Sequence, residues 1–156
     1  MRKLAIGIVL VAAISMMFVP AAFAQKSPGV SSGAWAIGLP GTVTAESGFT
    51  GTEAIVVETG KVVKMEKMAG VKDGWQMKFK SEQGNAFTVY MGPKWFVENQ
   101  KIKFMPGDGV VVRGKKFGSS IIATQVSKGD WTMKLRNEED GQPAWECCFP
   151  GAVKMQ

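Results

Sequence analysis

Between Ala54 and Asn137 the chain breaks into short stretches of period two, each ended by a glycine-bearing turn. That pattern constrains the fold more than any other feature. Alternate side chains of a strand point to opposite faces, whereas an amphipathic helix needs a period near 3.6. "WQMKFKS" sets Trp75, Met77 and Phe79 against Gln76, Lys78 and Lys80. "AFTVYMG" sets Phe87, Val89 and Met91 against Thr88 and Tyr90. Ahead of them, "AIVVETGKVVKMEKM" carries two valine-rich pieces around Gly60, long enough for one bent strand. An interior Gly of this kind marks a bulge or a barrel bend. "GVKDG" and "EQGN" read as the intervening turns.

Pro93 at a first-turn position, followed by Trp95, Phe96 and Val97, predicts a short helix. "KIKF" alternates, "PGDG" turns, and "VVVRGKKF" and "SSIIATQVS" are strands. In the turn, Pro106 presets φ, Gly107 or Gly109 can take positive φ, and Asp108 can bond the turn's amides. Val110 and Val112 face one side of the sheet and Val111 the other, and the unbroken apolar run predicts a strand covered on both faces. "WTMKLRN" places Trp131, Met133 and Leu135 on one face, as a sixth strand or an extension over the barrel end. The order is long strand, strand, strand, short helix, strand, strand. That is the connectivity of an all-β, five-stranded OB-fold Greek-key barrel with a short helix between strands three and four. Gly60 and Gly114 are placed to supply its curvature. Another small barrel or a β-sandwich is the competing architecture.

"FTVYMGPKWFVENQKIKFMPGDGVVVRG" followed by "IIATQV" resembles the second half of small exported bacterial OB-fold proteins. In those proteins a "Y-x-G-P" turn leads through a short helix to a "P-G-D-x-V-x-V-x-G" strand and an "I-I-A" strand. The matching positions are Tyr90, Gly92, Pro93, Pro106, Gly107, Asp108, Val110, Val112, Gly114, Ile121, Ile122 and Ala123. The resemblance implies the fold. Such proteins are often labelled nucleic-acid-binding by analogy, and fold analogy does not establish function.

The first residues, "MRKLAIGIVLVAAISMMFVPAAFAQ", have the parts of a bacterial signal peptide. Arg2 and Lys3 are the basic region, Leu4 to Val19 the apolar region, and Ala22-Phe23-Ala24 a small-x-small cleavage site before Gln25. The apolar run is shorter than the ~20 residues a membrane span needs. The expectation is a periplasmic or secreted protein, cleaved after Ala24 and not embedded in the membrane thereafter. Residues 25–53 read as a flexible Gly/Ser/Pro/Thr leader, in which Trp35 and Phe49 could staple parts of the segment to the domain or sit in a short edge segment. Residues 54–137 form the barrel and 138–156 a C-terminal tail.

Composition narrows the chemistry. The chain has no histidine, which removes Ser-His-Asp and Cys-His catalysis and His-ligated zinc or haem. The haem chaperone of cytochrome c maturation, another exported OB-fold protein, has a similar "V-x-Y-x-G" strand. Its covalent attachment needs the histidine this chain lacks. Acidic residues are scattered singly apart from Glu138-Glu139-Asp140, so no enzyme constellation is recognisable and no cofactor is implied. The net charge of +6 falls to +4 without Arg2 and Lys3, a mild basic excess that favours anionic surfaces.

An OB-fold usually binds on the outer face of strands two and three, flanked by the one-two and four-five loops. Here that face would carry Lys78, Lys80, Thr88 and Tyr90, with Lys64 on strand one and Lys115 and Lys116 near the four-five loop. One tyrosine among lysines is thin for single-strand nucleic-acid binding, which uses several stacking platforms at ~1–3 kcal/mol per base. The plainer reading of these lysines is a solvated sheet face.

"WQMKF" and "WTMKL" repeat a Trp-x-Met-Lys-apolar pattern. It resembles the Trp-and-Met site of the OB-like periplasmic copper chaperone of a cation-efflux system, without that protein's His or Met-x-Met pair. Met77, Met133, Cys147 and Cys148 are the candidate soft-metal donors, and gap-filling in a small core is the plainer role for the methionines. Adjacent cysteines can form a strained vicinal disulfide, bridge to another molecule, or stay inactive in the tail. The expectation for the whole is a non-enzymatic exported binding module. Its partner is an envelope protein or an anionic ligand. A soft-metal or redox-linked carrier and a single-strand nucleic-acid binder are the alternatives.

Overall fold

The computed structural model describes residues 35–41 and 48–146. Six strands and one short helix follow one another: β1 (Ile55–Lys67), β2 (Gly74–Ser81), β3 (Ala86–Pro93), α1 (Lys94–Glu98), β4 (Gly109–Phe117), β5 (Ser120–Lys128) and β6 (Trp131–Lys134). Antiparallel pairing joins β1 to β2, β2 to β3, β1 to β4 and β4 to β5. A short parallel pairing of Thr88–Tyr90 with Ser120–Ile122 closes β3 on β5. The result is a closed five-stranded OB-fold barrel with its helix between the third and fourth strands. The sixth strand pairs Gln125–Lys128 of β5, so it takes over the edge of β5 beyond the point where β3 leaves it.

Met77, Phe79, Phe87, Val89 and Met91 point into the barrel, as the alternation of β2 and β3 requires. Val62, Val110, Val112, Ile121, Val126, Met133 and Leu135 join them in that core. Trp75 is only partly buried at its margin, because a register shift between Trp75 and Gln76 interrupts the pairing with β3. Trp131 lies at the end of its strand, past the core, and is 59 % exposed despite sharing a face with Met133. The "KIKF" segment forms no ladder, although Ile102 and Phe104 are buried and Lys101 and Lys103 exposed.

Two glycines permit the barrel's corners. A Cβ on Gly60 would overlap the carbonyl oxygen of Lys80, and one on Gly114 the carbonyl oxygen of Ile122. Gly60 lies in β1, which pairs with both β2 and β4, and Gly114 lies in β4 where its register on β5 shifts. The turn ahead of β4 is built as its residues suggest: Gly107 has φ of +93°, and the Met105 amide donates to Asp108 Oδ2 at 2.7 Å.

The strand covered on both faces is not the one expected. Val111 of β4 is 37 % exposed, whereas Ile121, Ile122, Ala123 and Thr124 of β5 are all buried. The cause is a second apolar cluster outside the barrel, in which Trp35, Leu39 and Phe49 pack on Met68 and Ile122. The segment before the barrel thus roofs β3, β5 and the Lys115 end of β4, and the outer side of β4 stays open at Val111. At another margin the tail returns over the barrel, where Trp145 is buried in the main core against Phe96, with ring centroids 5.7 Å apart. The chain's first 34 residues, its segment 42–47 and Cys147 onward, including Cys148, lie outside the described residues. The expected signal peptide and the cysteine pair therefore fall there.

Candidate functional site

The outer face of β2 carries Lys78 and Lys80, and the face of β3 carries Thr88 and Tyr90. Lys78 lies directly opposite Lys64 of β1 on one side and Thr88 on the other. Its ammonium donates to Thr88 Oγ1 at 2.8 Å and lies 3.5 Å from Glu66 Oε1. Lys64 approaches Oε2 of the same carboxylate at 3.2 Å, and the Gln76 amide donates to Oε1 at 2.8 Å. These bonds, that of Gln76 first and then that of Lys64, hold Glu66 below the ordinary carboxylate range. Three neighbouring strands therefore present one connected polar cluster of two cations, one carboxylate and a hydroxyl. Glu66 is the member the sequence reading missed. Only the strand register, with Glu66 opposite Gln76, reveals it.

Lys80 is exposed and opposes Lys61 across β1 and β2. No carboxylate among the described residues lies within ion-pair distance of either. Like charges directly opposite on a sheet oppose pairing, so this end of the face keeps an unneutralised positive potential.

The other expected members are placed differently. Tyr90 is not an open platform. It stacks on Phe117 with centroids 6.3 Å apart and planes 11° off parallel, and Phe117 packs in turn on Phe49 at 5.2 Å. Lys115 is buried at 6 % exposure, because the leader that covers Ile122 covers it too. Its ammonium donates to the Gly51 carbonyl and lies 4.2 Å from the centroid of the Trp35 ring. That desolvation pushes the Lys115 ammonium below its ordinary value. Lys116 is half-buried, 3.3 Å from Glu58 Oε1 and 4.5 Å above the Phe87 ring. The lysines thus divide. Lys64, Lys78 and Lys80 stand on an accessible face, whereas Lys115 and Lys116 are held by internal partners. Met77 and Met133 are both buried in the barrel core, packed among apolar side chains.

A groove of about 950 Å³ lies elsewhere, between β5, β6 and the tail, where Thr124, Lys134, Arg136, Glu138 and Glu146 line it. Arg136 is the notable side chain there, and nothing in the alternation pattern marks it. Fully buried, it donates from Nη1 to the carbonyl oxygens of Met91 and Ala123 at 2.9 Å each, and its guanidinium lies 4.7 Å from the Trp145 centroid. Burial lowers its pKa to about 9, so it remains charged at neutral pH. It bridges β3 and β5 just beyond Tyr90 and Ile122, where their parallel pairing ends. Its surroundings are those of a strand clip.

The fold and the face together define a small OB-fold module with a cation-rich outer surface. Residues 54–133 match the MamS/MamX magnetosome protein family, and the chain belongs to that family. The matched stretch covers the five barrel strands and the start of β6, leaving Arg136, Trp145 and the roofing segment outside it. Neither a curated protein nor a solved structure matched the chain.

Proposed function

We propose that this protein is an exported, non-enzymatic OB-fold binding module of the magnetosome. It contacts an envelope protein or an anionic ligand through the outer face of β2 and β3. The observation that carries this reading is the accessible cluster of Lys64, Lys78 and Thr88 around Glu66, continued by the unpaired Lys80. Glu66 orders the cluster at one end and leaves the other positive, which gives the face direction as well as charge. Family membership supports the association with the magnetosome, and the sequence of the first 24 residues supports export.

Tyr90 lies under the leader, which withdraws from the β2–β3 face the one aromatic expected there for base stacking. An anionic side chain or a small soluble anion suits lysines alone, since an ammonium acts as a point charge. The test is capture of a specific envelope component by the chain lacking residues 1–24, compared with Lys64→Glu plus Lys78→Glu. Loss of one salt-sensitive component in the variant supports the reading. Equal capture by both forms refutes it.

A further inference from the structure

The two most exposed large apolar side chains among the described residues are Met105, at 62 %, and Trp131, at 59 %. They are 26 positions apart in sequence, yet the fold brings them to one end of the barrel. Trp131 opens β6 opposite Lys128. Lys128 donates to Asp108 Oδ2 at 2.6 Å and to the Lys103 carbonyl at 3.0 Å. The same Asp108 oxygen accepts from the Met105 amide, and the Lys101 ammonium lies 6.0 Å from the Trp131 centroid. The Met105–Asp108 turn also rests on β1, where Gly107 donates to the Val62 carbonyl and Val62 to that of Asp108. This puts Lys61, and Lys80 across from it, at the same end of the barrel.

That end therefore shows two apolar tips with Lys101 beside Trp131, Lys103 on the adjoining segment with its ammonium on the Glu98 carbonyl, and Lys61 and Lys80 on the neighbouring strands. The acids nearby are Asp108, which Lys128 neutralises, Glu82 in the β2–β3 turn, and Asp130 in the β5–β6 turn. We propose that this end of the barrel docks on an anionic lipid bilayer, with Trp131 and Met105 seated at the headgroup level and the lysines on acidic headgroups. Three features favour a bilayer over other partners. The apolar groups are single tips, one on the loop before β4 and one at the start of β6, which suits insertion into a fluid surface rather than a shaped pocket. A Trp beside lysines is the residue pair that belongs at a membrane interface, where its ring is half apolar and half wet. The opposed lysines 61 and 80 cost the sheet stability, a cost that an anionic surface would offset. This surface shares only Lys80 with the Lys64–Glu66–Lys78 face, so each reading is tested at lysines the other does not use, Lys101 and Lys103 here and Lys64 and Lys78 there.

The experiment is co-sedimentation of the chain lacking residues 1–24 with vesicles of phosphatidylglycerol and phosphatidylcholine, against pure phosphatidylcholine, at low and high salt. Binding is expected to the anionic vesicles only, and to weaken with salt. Lys101→Glu plus Lys103→Glu should reduce partitioning by roughly 25-fold or more, at about fivefold for each lysine lost from a surface. Trp131→Ala should reduce it roughly tenfold through lost apolar burial. All three side chains are exposed, and circular dichroism checks that the variants fold. Lys64→Glu plus Lys78→Glu should leave vesicle binding unchanged. The proposal is overturned by absence of wild-type pelleting with anionic vesicles at low salt. Pelleting that survives both Trp131→Ala and the Lys101/Lys103 reversal overturns it too. So does a single-stranded oligonucleotide that binds this end and displaces the vesicles.

Discussion

The ammonium of Lys115 lies 4.2 Å from the centroid of the Trp35 indole, 80 positions earlier in the chain, and the two are buried together. This contact ties the segment before the barrel to β4 and turns an outer sheet face into an interior one. Trp35→Ala removes a fully buried indole from the second apolar cluster. It should cost about 3–5 kcal/mol, measured as a shift of the urea midpoint. It also readmits water to Lys115. The Lys115 ammonium should then titrate closer to its ordinary 10.5, readable by NMR of the side-chain nitrogen. An unchanged midpoint would mean the roof contributes nothing to stability.

Gly60 and Gly114 should not tolerate a methyl group. In each case the new Cβ meets a backbone carbonyl on a paired strand, which cannot swing aside as a side chain can. Gly60→Ala and Gly114→Ala are each expected to lose at least ~2–4 kcal/mol. Gly109→Ala is the control, because nothing lies within 4 Å of its would-be Cβ. Thermal unfolding of the three variants decides it: similar melting temperatures for all would show that the corners are not set by these contacts.

Arg136 and Trp145 should act as one unit. Arg136→Ala leaves the Met91 and Ala123 carbonyls without their donor, at ~1–3 kcal/mol each, partly offset by removal of a desolvated charge. Trp145→Ala should cost ~3–5 kcal/mol. The pair stacks at 4.7 Å, so the double variant should be less destabilised than the summed singles by ~0.5–3 kcal/mol. Strict additivity in the double-mutant cycle would remove the coupling.

Acid should weaken the fold through its lowered carboxylates, three of which are each held by a partner ten or more positions away in the chain. Lys128 holds Asp108 below its ordinary value, Arg113 does so for Glu138, and Gln76 with Lys64 for Glu66. A group whose folded pKa lies below its unfolded one contributes stability that is complete above the unfolded value, near 4. That contribution is lost as pH falls through the folded value. Urea midpoints should therefore be level from pH 7 to about 5 and fall below about 4. Asp108→Asn should shrink that fall. An equal pH dependence in wild type and variant would show that the Asp108–Lys128 pair carries none of it.

Much of the barrel was legible because period-two alternation reports which face a side chain takes, and β2 and β3 alternate cleanly. Met77, Phe79, Phe87, Val89 and Met91 could be assigned inward from order alone, and Lys78 outward. The helix after Pro93 and the Asp108 turn were legible for a like reason, since both rest on contacts among residues close in sequence. The candidate site was half legible. Alternation put Lys78, Thr88 and Tyr90 on one side but could not tell that Tyr90 and Lys115 would be covered. Nor did it show that Glu66 would bridge Lys64 and Lys78.

Local order along the chain thus determined the strands, their inward faces and the barrel connectivity, because each depends on the dihedral preferences and side-chain alternation of neighbouring residues. Only the tertiary structure decided which outward faces remain in water. Trp35 on Lys115, Trp145 on Arg136, and Trp131 beside Lys101 are contacts between residues far apart in the sequence. Such contacts exist only once the barrel has closed and the segments on either side have packed against it, and no periodicity encodes them.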